Sequence, residues 1–263
     1  MTTTKVGIAA TFPPDTVLAL ESLLGAMADD ELILGYWDSE WTGIAPILEE
    51  DVAMSSLAQD EIGHARALFG LLGELRGEDP DGLAYDREVE ALRHCRLLDH
   101  PRTDWAFTIA RRYLYDEADA VRLEALAASA YTPLAELVAK IRREEVYHRM
   151  HASAWLRRLA DDDGEARARL DAAWLALLPD AATVFSPLDS EERLLVAGVI
   201  AAPSDGLEAR WRQAIGSTCR ELGLAVPGPA SDPANGRSSY GDAVRWLWDQ
   251  ATMVRRIDPQ AAW

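Results

Sequence analysis

Four long stretches of this chain carry an apolar stripe at helical spacing, and each stripe is interrupted near its middle by a carboxylate. The first reads Leu20, Leu24, Met27, Glu31, Leu34, and the second Ile47, Met54, Leu57, Glu61, His64, Leu68, Leu71, Leu75. The third reads Ile109, Tyr113, Asp116, Ala120, Leu123, Ala127, and the fourth Leu134, Val138, Ile141, Glu145, His148, Ala152, Trp155, Leu159. Residues three and four apart share one face of a helix, so each acid points where the core must be. Buried charge is costly unless it is paired or metal-bound, and four such intrusions call for one cause.

The breaks between the stripes set the connectivity. A first helix follows Pro13-Pro14, with Asp15 as its cap, and runs to about Trp41; a second runs from about Ile47 to Arg76, where Gly77 ends it. Residues 83–101 hold a short helix and a break at Pro101. A third helix covers roughly Thr103 to Ser129 and a fourth about Leu134 to Ala160. Two helical hairpins joined by one long crossover give an all-α, ferritin-like four-helix bundle. The spacing predicts shorter helices near 165–178, 189–200 and 206–223, a flexible loop over 226–239, and a last amphipathic helix from about Tyr240 to Arg256. The expectation is one domain over 1–263, with the core bundle at about 13–160 and a helical extension at about 165–263.

Depth ties the four acids together. Glu31 and Glu61 each lie 15 residues from Pro46 at the first turn, and Asp116 and Glu145 lie 14 or 15 residues from the turn at Ala130-Tyr131. At ~1.5 Å per residue all four sit roughly 22 Å from their turns, at one level of the bundle. Glu31, Glu61, His64, Asp116, Glu145 and His148 then form the donor set of a di-iron or di-manganese carboxylate site, with Glu-x-x-His on two helices and one acid on each of the others. On the third helix Asp116 is preferred over Glu117, because Glu117 shares its stripe with the solvated Glu124. Asp60 and Glu144, each four residues before a histidine, can reach a ligand imidazole and fix its tautomer. His94, His100 and His151 read as core or partly exposed residues. Trp37, Trp41, Trp105 and Trp155 read as plain core, and Arg111-Arg112, Arg142-Arg143 and Arg157-Arg158 as solvated faces.

Charge narrows the partners. With 26 basic against 44 acidic residues the chain carries −18, which repels nucleic acid and anionic membrane surfaces. No apolar run approaches the ~20 residues that span a bilayer. Cys95 and Cys219 stand apart in no metal-type spacing, so a reduced, cytoplasmic compartment is expected. The hard carboxylates with imidazoles suit two iron ions, and manganese fits the same ligands.

Ser39-Glu40-Trp41, Ala45-Pro46-x-Leu48-Glu49-Glu50-Asp51, Ala110-Arg111-x-Tyr113, Tyr147-His148 and the ending Pro259-x-x-x-Trp263 resemble the phenylacetyl-CoA epoxidase subunits over nearly the whole chain. That family contains a catalytic di-iron subunit and a related structural subunit that has typically lost most iron ligands. The quoted motifs look more like the structural subunit, whereas the six donors match the catalytic pattern. The resemblance implies a non-haem di-iron oxygenase acting with O₂ on an aromatic or acyl-CoA substrate such as phenylacetyl-CoA. Electrons would come from a separate reductase, since no Cys cluster, flavin or nicotinamide motif is present. A homodimer or a complex with a related subunit is expected. The alternatives are a non-catalytic structural subunit and, more weakly, a ferroxidase, which would need little beyond the four helices.

Overall fold

Helix ends follow local chemistry in the computed structural model, which describes residues 12–237 and 240–258. Helix α1 spans Pro14–Ser39. Pro14 opens it, as a residue without an N–H suits a first turn, and Asp15 lies inside that turn rather than capping it. Helix α2 spans Leu48–Arg76; Glu49, Glu50 and Asp51 complement its N-terminal dipole, and Gly77 ends it at φ 69°, where only glycine is unstrained. Helix α4 spans Trp105–Leu126, capped by Asp104, whose carboxylate accepts the Phe107 N–H. Helix α5 spans Thr132–Ala160 with Pro133 in its first turn. The four expected long helices are thus present, with ends shifted by a few residues.

The crossover holds helix α3, Pro80–Tyr85, and two 3₁₀ turns, Val89–Ala91 and Arg96–Leu98. Its helix starts earlier than residue 83 because Asp79 accepts the Gly82 N–H and Pro80 begins the turn. Beyond the bundle lie α6 (Glu165–Leu177), α7 (Glu191–Val196), α8 (Ser204–Glu221) and α9 (Asp242–Ile257). No strand occurs among the described residues, and no helix there is long and apolar enough to cross a membrane. The quoted ending Pro259 to Trp263 lies outside the described residues.

Helices α1 and α2 pack along each other, as do α4 and α5, while α6 and α8 lie against α4 and α7 against α1. The bundle interior is filled by Leu20, Leu24, Ile33, Leu68, Ile109, Leu134 and their neighbours, each essentially without exposed surface. Trp41, Trp105 and Trp155 form an edge-to-face ladder with centroids 5.1 and 5.3 Å apart. Gly35 sets the spacing of the first hairpin. A Cβ there would fall 2.8 Å from Ile62 and 3.0 Å from the Cβ of Glu61, so its absence lets α1 close on α2 at the level of that acid.

The 226–239 segment corrects an expectation of free movement. Arg237 reaches from it into the interior and donates to both oxygens of Asp30 at 3.0 and 3.1 Å and to the Val184 carbonyl at 2.8 Å. Residues 238 and 239 lie outside the described residues. Cys95 and Cys219 are buried free thiols.

Candidate metal centre

Midway along the bundle the interior turns polar. Glu31 comes from α1, Glu61 and His64 from α2, Asp116 from α4, and Glu145 and His148 from α5; none is more than 4% exposed. Donor atoms of Glu31, Glu61, His64 and Glu145 lie within 4.8 Å of one another, a group able to hold a metal ion. His148 adjoins that group: its Nδ1 is 3.2 Å from Glu61 and 2.9 Å from Glu145. His64 Nδ1 lies 3.2 Å from Glu31, 3.6 Å from Glu61 and 3.7 Å from Glu145. Both Nδ1 atoms therefore face the same carboxylates, and the two rings are 6.1 Å apart.

The outer nitrogens are held in a crossed pattern. His64 on α2 places Nε2 2.8 Å from Glu144 of α5, and His148 on α5 places Nε2 3.3 Å from Asp60 of α2. Each acid thus serves the imidazole of the facing helix, not the one four residues along its own. An Nε2–H donated outward leaves Nδ1 to face inward as a ligand.

Asp116 is fully buried, and neither oxygen accepts a hydrogen bond. Its nearest cation is Arg112, whose Nη2 is 3.2 Å from Oδ1. Glu117 instead takes a two-pronged ion pair with Arg149 at 3.0 and 2.8 Å. The two residues point to different places, as neighbours ~100° apart on a helix must.

Arg112 is the main residue that sequence reasoning missed. Both Arg111 and Arg112 are wholly buried, not solvated: α6 and α8 cover the face of α4 on which they would otherwise meet water. Arg111 donates to the His100 carbonyl and stacks over Trp37. Arg112 donates to Asp38 at 2.9 Å and to Glu61 at 2.6 Å. Asp38, a full two turns after Glu31 on α1, extends the same stripe, and that spacing was the available signal. On the other side Tyr115 donates its O–H to Glu31 at 2.9 Å and accepts from Arg122 at 3.0 Å. Arg122 is in turn held by Asp30 and Asp119.

Electrostatics follow from this crowding. Burial, then the charges of Glu61 and Asp119, push the Glu31 carboxyl well above the usual range. Glu61 goes the other way: burial would raise it, but Arg112 and hydrogen bonds with Glu31, His148 and His64 outweigh that and hold it low. Burial also pushes Asp116 well up and Asp38 to about 6, against the pull of Arg112. Burial alone would lower both histidines, yet their acid partners raise His64 to about 12 and His148 to about 11. Without metal, protons on the imidazoles and carboxyls offset the acids' mutual repulsion.

Charge and donor chemistry fit a pair of divalent cations. Arg112 is matched by Asp38 and Arg122 by Asp119, which leaves Glu31, Glu61, Asp116 and Glu145 facing two imidazoles. Glu61 Oε2 and both Asp116 oxygens are buried without a hydrogen bond, a cost that a bound cation would remove.

Comparison with known proteins agrees with this architecture. The chain is 30% identical over 239 residues to one of the 1,2-phenylacetyl-CoA epoxidase subunits of Escherichia coli (strain K12), covering 90% of this chain and 96% of that protein. It is 24% identical over 266 residues to another subunit of the same enzyme, covering 88% and 84%. Residues 9–263 match the family described as phenylacetic acid catabolic protein. The chain belongs to that family, which includes the phenylacetyl-CoA epoxidase subunits.

Proposed function

We propose that this chain is itself the metal-holding, oxygen-activating subunit of a phenylacetyl-CoA epoxidase-type complex. One observation carries the reading: six buried donors, with both imidazole Nδ1 atoms aimed at the same carboxylates. Glu31, Glu61 and His64 would hold one iron, and Asp116, Glu145 and His148 the other, with Glu61 and Glu145 between them. Two bound irons supply reductive activation of O₂, with electrons from a separate reductase. Around them the chain's own groups orient and screen. Glu144 and Asp60 hold the imidazoles by their outer nitrogens, Tyr115 occupies Glu31 Oε1, and Gly35 keeps α1 close to Glu61. The substrate class is an aromatic acyl thioester, and the partner a related subunit of the same complex.

A second reading makes the chain a structural subunit beside a catalytic partner. It is favoured by the unequal likeness to two different subunits of one enzyme, 30% against 24% identity. The contacts of Arg112 with Glu61 and Asp116 favour it too, since they set a cation where a metal would sit. Metal analysis after iron-supplemented expression separates the two. The oxygenase reading expects ~two irons per chain and loss of metal without unfolding in Glu61→Ala and His148→Ala. Less than about one iron per chain, or full iron in Glu61→Ala, overturns it.

A further inference from the structure

Between α4 and α5 the surface opens into a groove of about 270 Å³ that descends to Glu145. Glu145 is only 4% exposed, so the groove meets the one edge of this donor that solvent can reach. Ala120, Val121 and Leu123 of α4 and Val146 of α5 supply apolar walls, and Ala214 of α8 closes one end. Ala120 is one turn beyond Asp116 on the same stripe, and its small side chain leaves the space open.

Charged residues at the mouth are satisfied with one exception. Arg149 is locked onto Glu117, and Glu124 accepts from Arg210 at 2.8 Å. Arg142 is exposed and has no ion pair or hydrogen bond among the described residues. It sits one turn before Glu145 on the same face of α5. A guanidinium at an apolar groove's entrance selects a molecule with an anionic end and an apolar body.

We propose that this groove is the substrate entrance: Arg142 binds the anionic group of an aryl-acyl compound, whose ring lies along Ala120, Val121 and Val146 toward Glu145. This rests on the oxygenase reading for its purpose but not for its binding chemistry. The anion is either a carboxylate or the phosphates of a thioester carrier, and both would use the same guanidinium.

Calorimetric titration of the purified full chain with phenylacetate, phenylacetyl-CoA and uncharged benzyl alcohol tests it, with iron content measured on the same samples. Arg142→Glu should weaken an anionic probe by about tenfold or more and leave benzyl alcohol and metal content unchanged. Loss for phenylacetate alone assigns the guanidinium to a carboxylate, and loss for phenylacetyl-CoA alone assigns it to phosphates. Ala120→Leu should weaken all three probes with an unchanged melting temperature, because it fills the groove and spares Arg142. Equal binding of both anionic probes by wild type and Arg142→Glu, or no binding by wild type, overturns the proposal. If the chain holds no metal yet binds in an Arg142-dependent way, the entrance stands and the oxygenase reading falls.

Discussion

Replacing Arg112 with methionine removes the cation on which three buried carboxylates lean. Asp38, Glu61 and Asp116 lie 2.9, 2.6 and 3.2 Å from its guanidinium, and all four residues are essentially without exposed surface. Burial at this depth calls for no discount for solvent screening. Removing one partner of a buried pair costs about 3–5 kcal/mol, because the remaining charge keeps its desolvation penalty. For a chain of this size each kcal/mol lowers the melting temperature by ~2–4 °C, so metal-free Arg112→Met should melt roughly 6–20 °C below wild type. The double variant Arg112→Met/Asp38→Leu should recover part of that loss, since an apolar pair no longer strands a charge. Loss of the competing cation should also tighten divalent-metal binding. Thermal melts with and without metal, together with a metal titration, read both effects. A metal-free Arg112→Met protein melting within ~2–4 °C of wild type would refute the electrostatic argument. Weaker metal binding would show that Arg112 braces the ligands rather than competing for them.

The crossed acids give a second expectation: Asp60→Ala should lower metal affinity by about 10–100-fold by freeing His148, and Glu144→Ala by freeing His64, measurable by chelator competition. Unchanged affinity in both would remove the acids from the site. Metal binding should also release protons. Both imidazoles have raised folded values, so their stabilisation of metal-free protein is complete below the unfolded value of ~6.5 and is lost as pH rises through about 11 and 12. At neutral pH each must give up its inner proton to a metal, so titration in buffers of different ionisation heats should show at least ~two protons released per loaded chain, with affinity rising with pH. Proton release near zero would contradict the charged imidazoles. On α4, Asp116→Asn should abolish oxygenase turnover and lower iron content, whereas Glu117→Gln should be tolerated, at the cost only of its ion pair with Arg149. Turnover assays on both variants decide it, and coordination by Glu117 would reverse the assignment.

The long helices were legible because their stripes hold one period over many turns, and an acid on such a stripe is conspicuous. Gly77 was equally legible, as a left-handed helix end is a local event. Arg112 was not. Read along α4 alone it falls beside Arg111 on what looks like a wet face, and only helices supplied by the distant C-terminal part of the chain make that face dry. Asp38 escaped for a different reason: the stripe was read as ending at Leu34, one turn too early. That Asp60 and Glu144 serve opposite helices was unreadable in principle, because sequence gives each helix its own azimuth but not its rotation against a neighbour. Arg237 shows the limit of composition, since a Pro- and Gly-rich segment still drives one guanidinium into the interior.

The crossed pairing makes the centre a clasp between hairpins rather than a pocket within either. Each hairpin owns three of the six donors, but each imidazole is steadied by an acid from the other hairpin. A hairpin in isolation would therefore keep its own Glu-x-x-His and lose the hydrogen bond that orients it. Metal occupancy in this chain reports whether α2 and α5 are seated against each other. By mass action, whatever binds there holds the two halves shut, with a force set by its concentration over its dissociation constant. Cutting the crossover between the hairpins would leave all six donors intact, and the metal itself would become the strongest tie across the seam.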